Sequence, residues 1–304
     1  MKKLKYNLLL YYKKKLVLGF LLLMQFSAFS QLEVVVVNME TKEPIPYASI
    51  YLKNTENGTN SNLDGRFKLL LNQNDTLMIS SIGYKNVEFP YSSIEDTLFL
   101  EEDIKQMSEL IVTSDRSLKI FPARNVIGEL KSSFFTDNYW LGAGGRPYKI
   151  ARLFQYENRF EETRFLESIT LETLSYINGA KFSINFFTKG LDGMPKDPLL
   201  KDYIVFDCKK NRSKVKIPLL DYNIYFPKKG IFVVIQFLSI DQNRSIRDIP
   251  LKYAEKEYQY KYNPSFSLVK TESPSLYTYI NKAQKWVLSK NKLREIEAEL
   301  VLIE

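Results

Sequence analysis

The chain has 304 residues, no histidine and a single cysteine, Cys208. Without imidazole, Ser-His-Asp and Cys-His catalysis and histidine-ligated zinc are excluded, and one thiol rules out an intramolecular disulfide or a cysteine-rich metal cluster. The formal charge of +8 is concentrated in residues 1–30, which hold six lysines and no acid; beyond them 37 basic residues face 35 acidic ones, so a nucleic-acid footprint is not expected.

The first predicted element is a secretory signal over residues 1–30. Lysines 2, 3, 5, 13, 14 and 15 precede an apolar run, Leu16 to Met24, and a small-residue exit, Ala28-Phe29-Ser30, before Gln31. The apolar run is shorter than the roughly 20 residues that span a bilayer. A second apolar patch, Leu8 to Tyr12, keeps an uncleaved N-terminal anchor open as an alternative. Lipoprotein attachment is not expected, because Cys208 is far from the cleavage point. No transmembrane segment is expected in the mature chain.

From Gln31 onward the hydrophobic period is mostly two, which predicts short strands rather than helices. In the first unit, strands are expected at Leu32–Asn38, Tyr47–Lys53, Arg66–Leu71, Leu77–Ser81, Lys85–Phe89, Thr97–Leu100 and Glu109–Thr113. Asn57-Gly58 and Asp64-Gly65 are tight-turn dipeptides. Residues 116–125 read as a joint. In the second unit, strands are expected at Tyr148–Phe154, Leu166–Leu174, Lys181–Thr188, Tyr203–Cys208, Lys214–Leu219, Ile231–Ile240, Tyr258–Val269, Tyr277–Ile280 and Trp286–Ser289. In the tail, Ile296, Ala298, Leu300 and Leu302 alternate, which favours a closing strand over a helix. The expected fold is all-β: a signal peptide (1–30), a small β-sandwich (31–115), the joint, and a larger β-sandwich (126–304) whose strand count suggests a jelly roll.

The first unit carries a set of short motifs in a specific order. A valine-rich strand is followed by Glu43-Pro44-Ile45-Pro46-Tyr47-Ala48-Ser49-Ile50, Gly58-Thr59, Asn62-Leu63-Asp64-Gly65-Arg66-Phe67, Ile79-Ser80-Ser81-Ile82-Gly83-Tyr84 and Leu110-Ile111-Val112-Thr113. This set resembles the carboxypeptidase-regulatory-like domain, a small transthyretin-like sandwich, over about 85 residues. One departure is the first strand, which reads Val-Val-Val-Val where the family carries a glycine. Such domains commonly precede the plug and barrel of TonB-dependent outer-membrane receptors. The resemblance therefore implies a non-catalytic module in a Gram-negative envelope, in the periplasm, outer membrane or cell surface. The remaining sequence is expected to be too soluble and too short for a membrane barrel. The second unit looks like the C-terminal part of envelope proteins that share this domain, with no defined activity implied.

Several constellations invite a chemical reading. Asn60-Ser61-Asn62-Leu63-Asp64-Gly65 mimics the start of a calcium loop, but the twelfth position is Leu71 where a bidentate glutamate is needed, so a polar hairpin turn is the expectation. Gly142-Ala143-Gly144-Gly145-Arg146-Pro147 lacks the Lys-Ser/Thr of a phosphate loop. It is flanked by Tyr139, Trp140 and Tyr148. These aromatics with Arg146 are a candidate platform for a sugar ring and an acidic group; the plainer alternative is a loop capping one sandwich end. Tyr258, Tyr260 and Tyr262 alternate and so share one strand face, either as a second aromatic platform or as ordinary half-buried sheet. Asp192 to Pro198 reads as a loop in which Asp192 and Asp197 offer oxygen ligands without a supporting glutamate pattern. Glu161, Glu162, Glu167 and Glu172 read as solvated, with Glu167 and Glu172 on opposite strand faces. Cys208 reads as a buried, inert thiol.

The function expected from these residues is an exported binding or assembly protein, partnered by a glycan or an envelope protein. No catalytic residues, metal or cofactor are expected, and oligomeric state is left open. A carboxylate-only glycan-cleaving enzyme and a purely structural envelope spacer are the alternatives.

Overall fold

The computed structural model describes residues 33–103, 123–130, 139–142, 144–246, 260–272, 275–289 and 293–304. The expected signal segment, the strand at Glu109–Thr113 and Tyr258 lie outside the described residues. Within them the chain is all-β, with strands interrupted only by single 3-10 turns. The β-sandwich class expected from the two-residue period is the one observed.

The N-terminal part holds β1 (Glu33–Asn38), β2 (Ser49–Leu52), β3 (Gly58–Asn60), β4 (Arg66–Lys68), β5 (Thr76–Ser80), β6 (Val87–Pro90) and β7 (Thr97–Leu100). They form two small sheets, ordered β4-β1-β7 and β3-β2-β5-β6. The valine run makes β1 the centre of the first: β4 pairs with it antiparallel and β7 parallel. Val34, Val36, Phe67, Leu98 and Leu100 from one sheet and Ile50, Leu77 and Ile79 from the other are buried. With no disulfide in so small a unit, this apolar surface carries the stability. Gly65 is required at its turn. Its φ is +70°, and an added Cβ would stand 2.6 Å from the Val36 carbonyl oxygen.

The C-terminal part holds β8 (Arg124–Gly128), β9 (Tyr139–Leu141), β10 (Tyr148–Phe154), β11 (Phe165–Ser175), β12 (Ala180–Lys189), β13 (Pro195–Pro198), β14 (Ile204–Cys208), β15 (Asn211–Pro218), β16 (Ile231–Phe237), β17 (Arg244–Ile246), β18 (Tyr260–Tyr262), β19 (Ser265–Lys270), β20 (Leu276–Ile280), β21 (Lys285–Leu288), β22 (Arg294–Ile296) and β23 (Ala298–Ile303). One seven-stranded sheet runs β13-β12-β16-β10-β20-β21, with β14 also on β12. The other runs β22-β19-β11-β23-β8, with β15 on β11 and β9 on β19. Their inner faces share one core: Ile150, Phe182, Ile184, Phe186, Val233, Ile235 and Phe237 meet Ile169, Leu171, Phe266, Leu268, Leu300 and Leu302. Phe266 stands edge-on to both Phe182 and Phe237, with ring centroids 5.0 and 5.2 Å away.

Three expectations change. The joint at 116–125 runs into β8, which begins at Arg124 and pairs with β23. Tyr258–Val269 is not one strand: β18 and β19 are separated at Asn263-Pro264, where proline has no N–H for a ladder. Pro195–Pro198 is strand β13 rather than loop, tolerated because it lies at a sheet edge. The tail is strand, as the alternation favoured.

The outer face of the β12-β16-β10 sheet is also covered. Every residue of β16 is buried. Ala151, Phe187, Phe232 and Val234 form a cluster on this face against which Ile82 of the N-terminal part packs. Tyr47 packs with Leu238 and Ile240 beside it. A polar seam closes the contact. Gln236 Nε2 donates to the Tyr47 carbonyl at 3.0 Å, Thr59 Oγ1 to the Ser239 carbonyl at 2.8 Å, and Ser239 N to Asn60 Oδ1 at 2.8 Å. Buried polar groups at a contact need such partners, so the seam fixes how the two parts dock.

Candidate functional site

A cavity of about 280 Å³ opens at this contact. The C-terminal part contributes Lys149 from β10, Phe187 from β12, Pro195 to Pro198 from β13, Tyr203, Tyr279 from β20 and Trp286 from β21; the N-terminal part contributes Ser80, Ser81, Ile82 and Asn86. Strand alternation explains the cluster. Ile150 and Thr278 turn inward, so Lys149 and Tyr279, paired across the antiparallel ladder, turn outward. Trp286 is opposite Tyr279 in the next ladder. The β20–β21 hairpin turns through Gln284 in the left-handed region, and Asn281 Nδ2 anchors it to the Pro147 carbonyl at 2.7 Å.

The rings stand edge to face. Tyr279 and Trp286 have centroids 5.4 Å apart, and Phe187 and Trp286 6.5 Å. The Lys149 ammonium lies 5.3 Å from the Tyr279 ring and 5.9 Å from the Tyr203 ring. No carboxylate among the described residues comes within 4.0 Å of it. Burial among these rings lowers its pKa to about 8, which leaves it mainly a cation at neutral pH. The Tyr203 hydroxyl is buried without a hydrogen-bond partner among the described residues. Burial, with the neighbouring Tyr279, raises its pKa, and burial raises that of Tyr279. The lining combines flat aromatic faces with the Lys149 and Lys196 cations, the Asp197 carboxylate and the polar side chains of Ser80, Ser81 and Asn86. That suits a small polar ring carrying an acceptor or negative charge.

The aromatic residues expected from sequence are placed differently. Tyr139 and Trp140 are neighbours on β9 and therefore point to opposite faces. Arg294 stacks on the Tyr139 ring at 3.9 Å, and Arg212 lies 5.9 Å from the Trp140 ring. Tyr148 packs against the core, with its ring 5.6 Å from that of Phe237. Arg146 reaches Glu56 at 3.8 Å and lies 5.9 Å from the Tyr148 ring. Tyr262 lies against Gly145. Tyr260 sits on β18 with Tyr262, opposite Ile246. Arg146, Tyr148 and Tyr262 thus lie near one another around Gly145, and none of these residues lines the cavity beside Lys149.

The acidic candidates also resolve. Glu172 is not solvated: it is 3% exposed and hydrogen-bonded by Arg212. Its side chain is buried because the outer face of β11 is covered there. Glu167 pairs with Arg124 at 2.8 Å. The Asn60–Gly65 segment is a turn in which Asn62 Oδ1 accepts from the Asp64 and Arg66 amides. It borders a more polar cleft of about 360 Å³. Asp192 Oδ1 accepts from the Met194 amide, while Asp197 lies 3.6 Å from the Lys196 ammonium. Among the described residues no three acidic, histidine or cysteine side chains are grouped to hold a metal. Cys208 is buried at the end of β14, and burial raises its pKa.

The sequence reading missed Lys149, Tyr203, Tyr279 and Trp286. A usable signal was present: Tyr277 and Tyr279 alternate just as Tyr260 and Tyr262 do, with Trp286 across a short hairpin.

Comparison with known proteins bears on the N-terminal part. The CarboxypepD_reg-like domain family matches residues 35–112. The TonB-dependent receptor SusC of Bacteroides thetaiotaomicron is 32% identical over 91 residues, which are 29% of this chain and 9% of the receptor. The chain thus matches a small fraction of that relative's length. Solved structures of infectious bursal disease virus, Gx and Gt strains, align with 84% of the chain at 13% identity, with TM-scores of 0.24 and 0.21, and cover 55% and 54% of the viral chains. Likeness that slight carries no argument. The family match spans most of the valine-rich β1, the Asp64-Gly65 turn and the Ile79–Tyr84 corner, and residues 35–112 are a carboxypeptidase-regulatory-like domain.

Proposed function

We propose that this chain is an exported, non-catalytic carbohydrate-binding module of a Gram-negative cell envelope, with its ligand site at the Lys149–Tyr203–Tyr279–Trp286 cavity. In this reading residues 1–30 direct export, residues 31–115 form the regulatory-like sandwich, and residues 126–304 form the ligand-bearing sandwich. The observation that carries it is the cavity itself: two tyrosine rings face a cation that has no acidic partner among the described residues, and Phe187 and Trp286 extend the aromatic wall. The similarity to a TonB-dependent receptor supports an envelope setting and an accessory role beside such a receptor. Among the described residues lining the cavity Asp197 is the one carboxylate, whereas glycoside hydrolysis ordinarily needs two facing the scissile bond, which supports binding over cleavage.

The test is a glycan array and an envelope pull-down with purified residues 31–304, repeated with Trp286→Ala and Trp140→Ala. Loss of binding in Trp286→Ala alone supports this cavity. Loss in Trp140→Ala alone returns the site to the Tyr139–Tyr148 region. Hydrolysis of any captured glycan would replace the binding reading with the enzymatic one.

A further inference from the structure

We propose that the cavity selects a sugar ring bearing a carboxylate, with Lys149 as its counter-ion. This deepens the carbohydrate-binding reading and rests on it.

The other shielded cations of this molecule are paired with carboxylates. Arg152 pairs with Glu295 at 2.9 Å, Arg164 reaches Glu161 at 3.8 Å, Lys181 meets Asp207 at 2.5 Å, and Arg212 is bonded to Glu172. Lys149 departs from this pattern: it is shielded by the sheet and by aromatic rings, yet no carboxylate among the described residues approaches within 4.0 Å. A shielded charge without a partner is costly, and ring faces at 5–6 Å offset only part of that cost. The position is therefore built to gain a counter-charge from outside.

The surroundings narrow what brings that charge. Inorganic phosphate or another small anion would use the ammonium and leave the rings of Tyr279, Trp286 and Phe187 without a role. A ring with an apolar face uses both. The volume of about 280 Å³ lies just below the range usual for small-molecule sites, which fits a single monosaccharide unit better than an extended oligosaccharide. The Ser80, Ser81 and Asn86 side chains supply polar groups for ring hydroxyls. Asp197 does not oppose the anion strongly, because it lies 3.6 Å from Lys196.

The charged groups around Lys149 allow a clean pH test. Tyr203 faces it from the segment before β14, Tyr279 from β20 with Tyr51 of β2 close behind, and Lys196 and Asp197 from β13. Burial raises all three tyrosines, so they stay neutral between pH 7 and 9. Lys149, lowered to about 8, loses its charge across that interval.

The experiment uses full mature chain carrying Trp140→Phe, which leaves Trp286 as the only tryptophan. Its emission is titrated with sodium D-glucuronate and D-galacturonate, and with D-glucose, D-galactose and sodium phosphate as comparisons. The expected result is binding of a uronate about tenfold tighter than its neutral counterpart at pH 7, the size of one charge-assisted contact. Lys149→Met should reduce the uronate to the neutral level, Lys149→Arg should keep the preference, and the preference should fade from pH 7 to 9. Equal binding of neutral and acidic sugars, unchanged in Lys149→Met, overturns the carboxylate inference and leaves the carbohydrate reading standing. Phosphate competing as strongly as a uronate also overturns it, in favour of a plain anion site. Absence of any sugar response while the variant keeps its far-ultraviolet β signature removes the carbohydrate reading and this inference together.

Discussion

Lys149 and Tyr279 face each other across the β10–β20 ladder, with the ammonium 5.3 Å from the ring centroid. The pairing places a cation on an outer sheet face that it shares with the apolar Ala151, Phe187, Phe232 and Val234 and with Gln236, which stands opposite it in the β10–β16 ladder. Keeping it there costs stability. Because the folded-state pKa, about 8, lies below the unfolded value near 10.5, the unfolded chain holds more protons between those limits. The penalty is therefore fully present below pH 8 and is relieved as pH rises toward 10.5. Lys149→Met should stabilise the protein by about 1–2 kcal/mol at pH 7, allowing for partial solvent access. The gap between variant and wild type in urea unfolding should narrow from pH 8 to pH 10. A gap that stays constant with pH would mean Lys149 is solvated in the folded state.

Asn60 and Ser239 make a buried polar contact between the two parts. Asn60 Oδ1 accepts from the Ser239 amide at 2.8 Å, and its Nδ2 donates to the Tyr47 and Ala48 carbonyls. Asn60→Ala leaves the buried Ser239 amide without its acceptor, while the Tyr47 and Ala48 carbonyls keep Gln236 and the Ser61 amide as donors, so the cost is about 1–3 kcal/mol. If residues 31–115 and 126–304 are separate folding units, as proposed, the loss should also split a single urea transition into two. One cooperative transition in both proteins would argue that the two parts fold as one.

How much of this was legible in the chain follows from which faces are covered. A strand with one fully covered face, such as β23, shows its alternation openly, and the tail reads as strand for that reason. In β16 the run Ile231 to Phe237 is apolar almost throughout, a pattern that marks burial on both faces. Its one polar residue, Gln236, bonds to Tyr47 in the regulatory-like domain. Read that way, the run pointed to a second layer over the sheet, but not to what supplied it. The cavity was illegible for the same reason: Lys149 looks like an ordinary solvent-facing lysine until Ile82 and its neighbours close over that face. Short edge strands such as β13, with prolines at both ends, carry no periodicity to read.

Glu172 and Arg212 form a second relation that depends on covering. Glu172 is almost fully buried, while the Arg212 side chain is 27% exposed. Arg212→Met should destabilise the protein by about 3–5 kcal/mol, because it leaves a buried carboxylate without its main partner. Adding Glu172→Gln should recover a large part of that loss. A double-mutant cycle by urea unfolding measures the coupling, and a value near zero would place the pair among weak surface contacts.

Cys208 provides an independent probe of the C-terminal core. Its thiol is 2% exposed at the end of β14, opposite Ala180 in β12, and burial raises its pKa. Both effects lower the thiolate that a disulfide reagent attacks. In the native protein at pH 8 the reaction with a thiol reagent should be at least about a hundredfold slower than in urea. Reaction then requires local opening of β14 away from β12, so its rate reports the stability of that sheet edge. Because β14 follows directly on Tyr203, a ligand held in the cavity should slow the reaction further. Glucuronate that binds without changing Cys208 reactivity would show that the edge opens independently of the site.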